Sequence, residues 1–168
     1  GFATPTWAAL TFNANNNTLY GADQTPQELF SINPLTGVRT TIGAISQIVS
    51  GLAHDAANDI LFGVGNDDVL YNIDMSNGNL TTIGALGVGV SNAGLAFDYD
   101  NNELYMNSAA MLYKLNVNTG AATLIGANGI GGTMLGLTYI GVPEPHSMLL
   151  LSLGILITGA VRRRRTVA

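Results

Sequence analysis

The chain has no cysteine, so neither a disulfide nor a thiolate metal site can form, and nothing requires a particular redox compartment. Charge is scarce as well: Asp, Glu, Lys and Arg make up 10% of the 168 residues. Ahead of the C-terminal tail, two bases, Arg39 and Lys114, stand against ten acids from Asp23 to Glu103, a net charge of about −8. Such a domain is a poor partner for nucleic acid, and its acidity serves solubility. Histidine is limited to His54 and His146, and Trp7 is the one tryptophan. With one histidine in the body of the chain, a His-based triad or a zinc site has little to draw on. No Gly-x-Ser-x-Gly elbow and no His-Glu-x-x-His motif occurs. The expectation is a protein that is not an enzyme and carries no cofactor and no metal.

What is present is repetition. Hydrophobic residues make up 47% of the chain and glycine 21 positions, a balance that suits an all-β exported module rich in turns. Ala9-Leu10-Thr11-Phe12-Asn13, Gly51-Leu52-Ala53-His54-Asp55, Gly94-Leu95-Ala96-Phe97-Asp98 and Gly136-Leu137-Thr138-Tyr139 are copies of one segment, with leucines 42, 43 and 42 residues apart. After each of the first three copies comes a polar Asn/Asp turn, then Leu19-Tyr20, Leu61-Phe62 or Leu104-Tyr105. Next comes a run that alternates apolar and polar residues: Leu29 to Asn33, Leu70 to Asp74, Leu112 to Asn116. A turn ending in Gly37, Gly78 or Gly120 leads to Thr41-Ile42-Gly43, Thr82-Ile83-Gly84 or Leu124-Ile125-Gly126. Period two is strand behaviour, and the glycines supply the positive φ that tight turns need. Each unit therefore predicts four antiparallel strands in the length of one propeller blade. The units resemble the "LY-x-ID-x-x-TG-x-x-T-x-IG" repeats of secreted bacterial propellers over residues 9 to 139, a resemblance that speaks to architecture and not to activity. No Trp-Asp dipeptide marks them as WD40 blades.

Three full blades plus a closing strand near Leu135 to Ile140 make a partial β-propeller. The chain opens at Gly1-Phe2-Ala3-Thr4 without an initiator Met or a basic signal region, and is expected to lack its true beginning. The expected object is an open arc with apolar blade faces bare at its ends. A small sandwich or a β-solenoid built from the same hairpins is the rival fold.

The last residues form a separate device. Val142-Pro143-Glu144-Pro145 precedes an uncharged apolar run from Met148 to Val161, closed by Arg162, Arg163, Arg164 and Arg165. Fourteen residues at 1.5 Å rise give about 21 Å of helix, short of a bilayer core of about 30 Å, and snorkelling arginines ease the mismatch. Pro143 and Pro145 stop a helix from running back into the domain. The segment resembles the PEP-CTERM sorting signal, which bacteria with exosortase use to send proteins to the cell envelope. The resemblance implies an exosortase-type processing enzyme as partner, and Pro143, Glu144, Pro145 and the four arginines as the signal. The positive-inside rule keeps the arginines cytoplasmic, with residues 1 to 141 outside. A plain, unprocessed tail anchor is the alternative.

Other candidates for chemistry have bland counterparts. His54 stands where Phe12 and Phe97 stand in their repeats, a packing position. His146 belongs to the signal region. Asp98-Tyr99-Asp100-Asn101-Asn102-Glu103 offers hard oxygens to Ca²⁺ but lacks the glycine and spacing of an EF-hand loop, and reads more simply as a tight hairpin. Gly63-Val64-Gly65 has no following helix to hold a phosphate. The division is thus a repeat domain over 1–141 and a sorting segment with a transmembrane helix over 142–168. The expected function is an exported surface or matrix binding or structural module, held to the membrane through its C-terminal helix. The family resemblance adds polysaccharide as a possible partner. The competing reading is a propeller lyase or glycosidase whose catalytic residues lie in missing blades.

Overall fold

The computed structural model describes residues 7–129 and 136–139, and the regular structure among them is entirely β. Twelve strands make three four-stranded antiparallel sheets, each a simple meander. The first sheet holds β1 (Trp7–Asn13), β2 (Thr18–Gln24), β3 (Gln27–Ile32) and β4 (Arg39–Ala44). The second holds β5 (Val49–Asp55), β6 (Ile60–Gly65), β7 (Val69–Ile73) and β8 (Leu80–Ala85). The third holds β9 (Gly94–Asp98), β10 (Glu103–Ser108), β11 (Met111–Leu115) and β12 (Ala122–Ala127). The first strand of each sheet packs beside the first strand of the next, β1 against β5 and β5 against β9. This is the order of consecutive propeller blades about an axis. The expected C-terminal helix and its anchor residues lie outside the described residues. Among the described ones, no helix is long and apolar enough to cross a membrane.

The hairpins close by the same chemistry each time. Asn17, Asp59 and Asn102 take positive φ at the first turn of the three blades, and Gly37, Gly78 and Gly120 do so at the last. An Asn or Asp oxygen at each turn's start accepts the backbone amide two residues on. Asn33 receives Leu35 at 2.9 Å, Asp74 receives Ser76 at 2.8 Å and Asn116 receives Asn118 at 2.9 Å.

Alternation sends each strand's apolar residues to one joint or the other. Tyr20, Ala22 and Leu29 meet Leu52, Leu61, Tyr71 and Ile73 between the first and second blades. Phe62, Val64 and Leu70 meet Leu95, Phe97, Leu104 and Met106 between the second and third. Complete burial of each such side chain contributes about 1.5–3 kcal/mol, so the joints carry most of the hydrophobic stabilisation.

Glycine fixes how closely the blades approach. A Cβ on Gly43 would stand 2.0 Å from the carbonyl oxygen of Asn77, and one on Gly84 would stand 2.1 Å from that of Thr119. The outermost strand of one blade thus seats the turn of the next. Gly126 holds the same place in the third blade, and a Cβ there would meet none of the described residues within 4 Å.

The end faces differ from the bare apolar surfaces expected. Glu28 and Arg39 stand where Val69 and Leu80 stand in the second blade. Arg39 pairs with Glu28 and with the buried Asp23, its guanidinium 4.1 Å over the Phe30 ring. At the other end Glu103 and Tyr105 replace Ile60 and Phe62, and Glu103 binds both Tyr105 and Lys114. Leu10, Phe12, Leu124 and Ile125 remain exposed around these clusters. Polar groups at positions that are apolar in the joints make these two faces partly wettable. The closing strand also departs from expectation. Residues 136–139 stand beside β9 as β9 stands beside β5, since a Cβ on Gly94 would lie 2.9 Å from Leu137 N. They are not assigned to a strand, because a strand is defined by a partner within its own sheet, and none of the described strands pairs with them.

Candidate functional site

The repeat brings four copies of one register to the axis. Residues 10–12, 52–54, 95–97 and 137–139 line a single bowl of about 220 Å³, joined by Leu19 and Tyr99. One step along the strands the space shrinks to about 40 Å³ between Ser50, Gly51, Ala93, Gly94 and Gly136, where small residues let the inner strands close in. The third residue of each register forms the ring of the bowl: Phe12, His54, Phe97 and Tyr139. Three corners are aromatic and one is imidazole.

Aromatic contacts tie the bowl to the joint behind it. Phe62 and Phe97 stack with centroids 6.0 Å apart. The Tyr99 ring meets Phe97 edge-on at 5.6 Å and Tyr139 at 6.3 Å. Tyr99 donates its hydroxyl to the His54 carbonyl at 3.0 Å, and Tyr139 donates to Asp100 at 2.6 Å. The hydrogen bond to Asp100 raises the Tyr139 phenol above its ordinary value, and burial does the same for Tyr99.

His54 is buried. Its Nε2 lies 3.0 Å from Asp59 Oδ1, while its Nδ1 is enclosed without a hydrogen-bond partner. Hydrogen bonds from His54 and then from Asn15 hold the Asp59 carboxyl below the usual range. Asn15 also donates to the Ala56 carbonyl at 2.8 Å, so this polar group clasps the first blade to the second. An ionised carboxylate only accepts, so His54 donates to Asp59 from Nε2.

In residues 98–103 the carboxylate of Asp98 serves its own turn. Asp98 Oδ1 accepts the amides of Asp100 and Asn101 at 2.9 and 3.1 Å, and its Oδ2 accepts the Asn101 side chain at 2.8 Å. Asp55 serves its own turn in the same way. Among the described residues no group of three His, Asp or Glu side chains converges for a metal ion. Gly63 is a packing position, since a Cβ would press on Ile73 at 2.5 Å.

The sequence marked His54 as the odd member of its register, but not its pairing with Asp59 or the convergence of all four registers. The sorting residues Pro143, Glu144, Pro145 and Arg162 to Arg165, and His146, lie outside the described residues.

Solved structures resemble the fold at low sequence identity. A chain of a nidogen/laminin complex matches with a TM-score of 0.65 at 16% identity, covering 80% of this chain and 52% of that one. A structural genomics protein of unknown function from Bacteroides thetaiotaomicron VPI-5482 matches at 0.61 and 15%, covering 72% and 34%. Kuenenia stuttgartiensis hydrazine synthase matches at 0.55 and 14%, covering 71% and 35%. The chain thus spans about half the length of the first and about a third of the others. No curated protein matches it. A PEP-CTERM protein-sorting motif matches residues 141–165, and a repeat of unknown function, DUF6923, matches residues 3–128. The chain therefore belongs to the DUF6923 repeat family and carries, after its propeller-type repeats, a PEP-CTERM sorting motif.

Proposed function

We propose that this is a binding or structural module of the cell surface or extracellular matrix, which holds a ligand and does not transform it. The observation that carries the reading is the order of the two matches: a repeat domain followed by a sorting motif. The motif implies an extracellular protein sorted by an exosortase. On this reading residues 1–141 act outside the cell. Residues 142–168 hold the chain in the inner membrane, with the arginines in the cytoplasm, until processing releases it to the envelope. Polysaccharide is the partner that the sorting signal favours on this reading.

Replacing Pro143, Glu144 and Pro145 with alanine in a host with exosortase should leave an unprocessed species in the inner membrane. Mass spectrometry of the mature wild-type protein is the deciding measurement. A C-terminus intact at Ala168 would refute processing and leave a plain anchor.

A further inference from the structure

We propose that the groove between the second and third blades binds an extended peptide, one that carries an aliphatic side chain flanked by lysine or arginine. This names a partner class for the binding-module reading and rests on it. The groove holds about 440 Å³, within the roughly 300–1,000 Å³ of pockets that enclose a small ligand.

The first joint shows how such a groove is closed. There Asn15 donates to the Ala56 carbonyl and to Asp59, Asn13 donates to the Met75 sulfur at 3.4 Å, and Asn16 donates to the Tyr20 hydroxyl at 2.9 Å. In the second joint Ala57 stands in place of Asn15, Val117 in place of Met75 and Phe62 in place of Tyr20. Asp55, the counterpart of Asn13, uses both oxygens within its own turn. The clasp is lost and the space stays open.

The groups that face the space are equipped to bind. Asn72, Thr81, Asn102 and Asn118 line it, and none of these side chains has a hydrogen-bond partner among the described residues. Each carboxamide both donates and accepts, which matches the C=O and N–H of an extended backbone. Asn72 and Thr81 are register partners on β7 and β8, while Asn102 and Asn118 belong to the facing blade. Ile60, Ile83 and Val117 are half-buried walls for an aliphatic side chain. The rings of Phe62 and Phe97 are only 3% and 4% exposed, so the apolar surface on offer is aliphatic and not the ring face on which a sugar stacks.

Charge selects the flanks. Asp55, Asp59, Asp74, Asp98 and Asp100 all lie at turns on this end of the two sheets. Hydrogen bonds from Ser76 and from Asn101 hold the Asp74 and Asp98 carboxyls below their ordinary range, so both are ionised at neutral pH. Lys114 is paired with Glu103. A cation beside the aliphatic residue is attracted to this end, and an anion is repelled.

The test is calorimetric titration of the full chain in a detergent without a sugar headgroup. The probes are a capped peptide with valine between two lysines, the same peptide with glutamates in place of the lysines, and a neutral glucan oligomer. Saturable binding of the lysine peptide is expected, with the glutamate peptide at least tenfold weaker. Two variants copy the first joint and so keep the fold: Asn118→Ser removes a carboxamide, and Val117→Met fills the slot. Each should weaken binding about tenfold, the scale of one hydrogen bond, at an unchanged melting temperature. No saturable binding of the lysine peptide, equal or tighter binding of the glutamate peptide or the glucan, or wild-type affinity in both variants would overturn the proposal. None of these outcomes alters the C-terminal mass by which processing is read. Failed processing, in turn, leaves the peptide titration intact.

Discussion

Asn13, Asp55 and Asp98 occupy one position in three blades, and all three are buried. Each accepts the amide two residues on, at 2.8 to 2.9 Å, so the turn needs an oxygen and not a charge. The charge has a separate effect. The Asn101 side chain, then nearby backbone amides, hold the Asp98 carboxyl below its ordinary value. A carboxyl lowered on folding adds stability above its unfolded value near 4, and loses it as pH falls through the folded value. Asp98→Asn should therefore keep the fold and flatten the loss of stability below about pH 4. Urea midpoints measured down the acid range check this, and parallel curves for both proteins would contradict it. The turn chemistry was legible in the sequence because its partners lie two or three residues away. His54 was legible only as an exception. Its partner Asp59 depends on a positive-φ turn, and its register acquires meaning only when three other strands arrive.

At the level of strands, the period of 42 to 43 residues defined the blades, because each hairpin is local and its glycines are fixed by backbone geometry. The joints were not legible. Gly43 meets the Asn77 carbonyl and Gly84 that of Thr119, contacts between separate sheets that no local pattern encodes. The ion clusters at the end faces were equally hidden, since the repeat predicts apolar residues where Glu28, Arg39 and Glu103 stand. A paired substitution isolates the joint. Gly84→Ala should cost about 2–3 kcal/mol by forcing the second and third blades apart. Gly126→Ala adds the same methyl where none of the described residues lies within 4 Å, and should be neutral or slightly stabilising. Thermal midpoints of the two variants should differ clearly, and equal midpoints would remove the seated carbonyl as the reason for glycine.

Across the molecule, stability should be uneven. The second blade shares both apolar clusters, whereas the first and third each share one. In an array with nearest-neighbour joints, the middle unit opens last. Amide exchange should be slowest in β5 to β7, and slower exchange in β10 or β11 would mean that the joints do not set the order. A second consequence lies at the rim. Among the described residues β4, β8 and β12 end their sheets with no further strand beside them, and such edges recruit strands from other molecules unless their side chains discourage it. β4 and β8 present Thr41 and Thr82, whereas β12 presents Leu124 beside Ile125, 57% and 54% exposed. The third sheet is therefore the place where copies would stick edge to edge. Leu124→Thr, which copies its two sisters, should lower light scattering of concentrated solutions without moving the melting temperature.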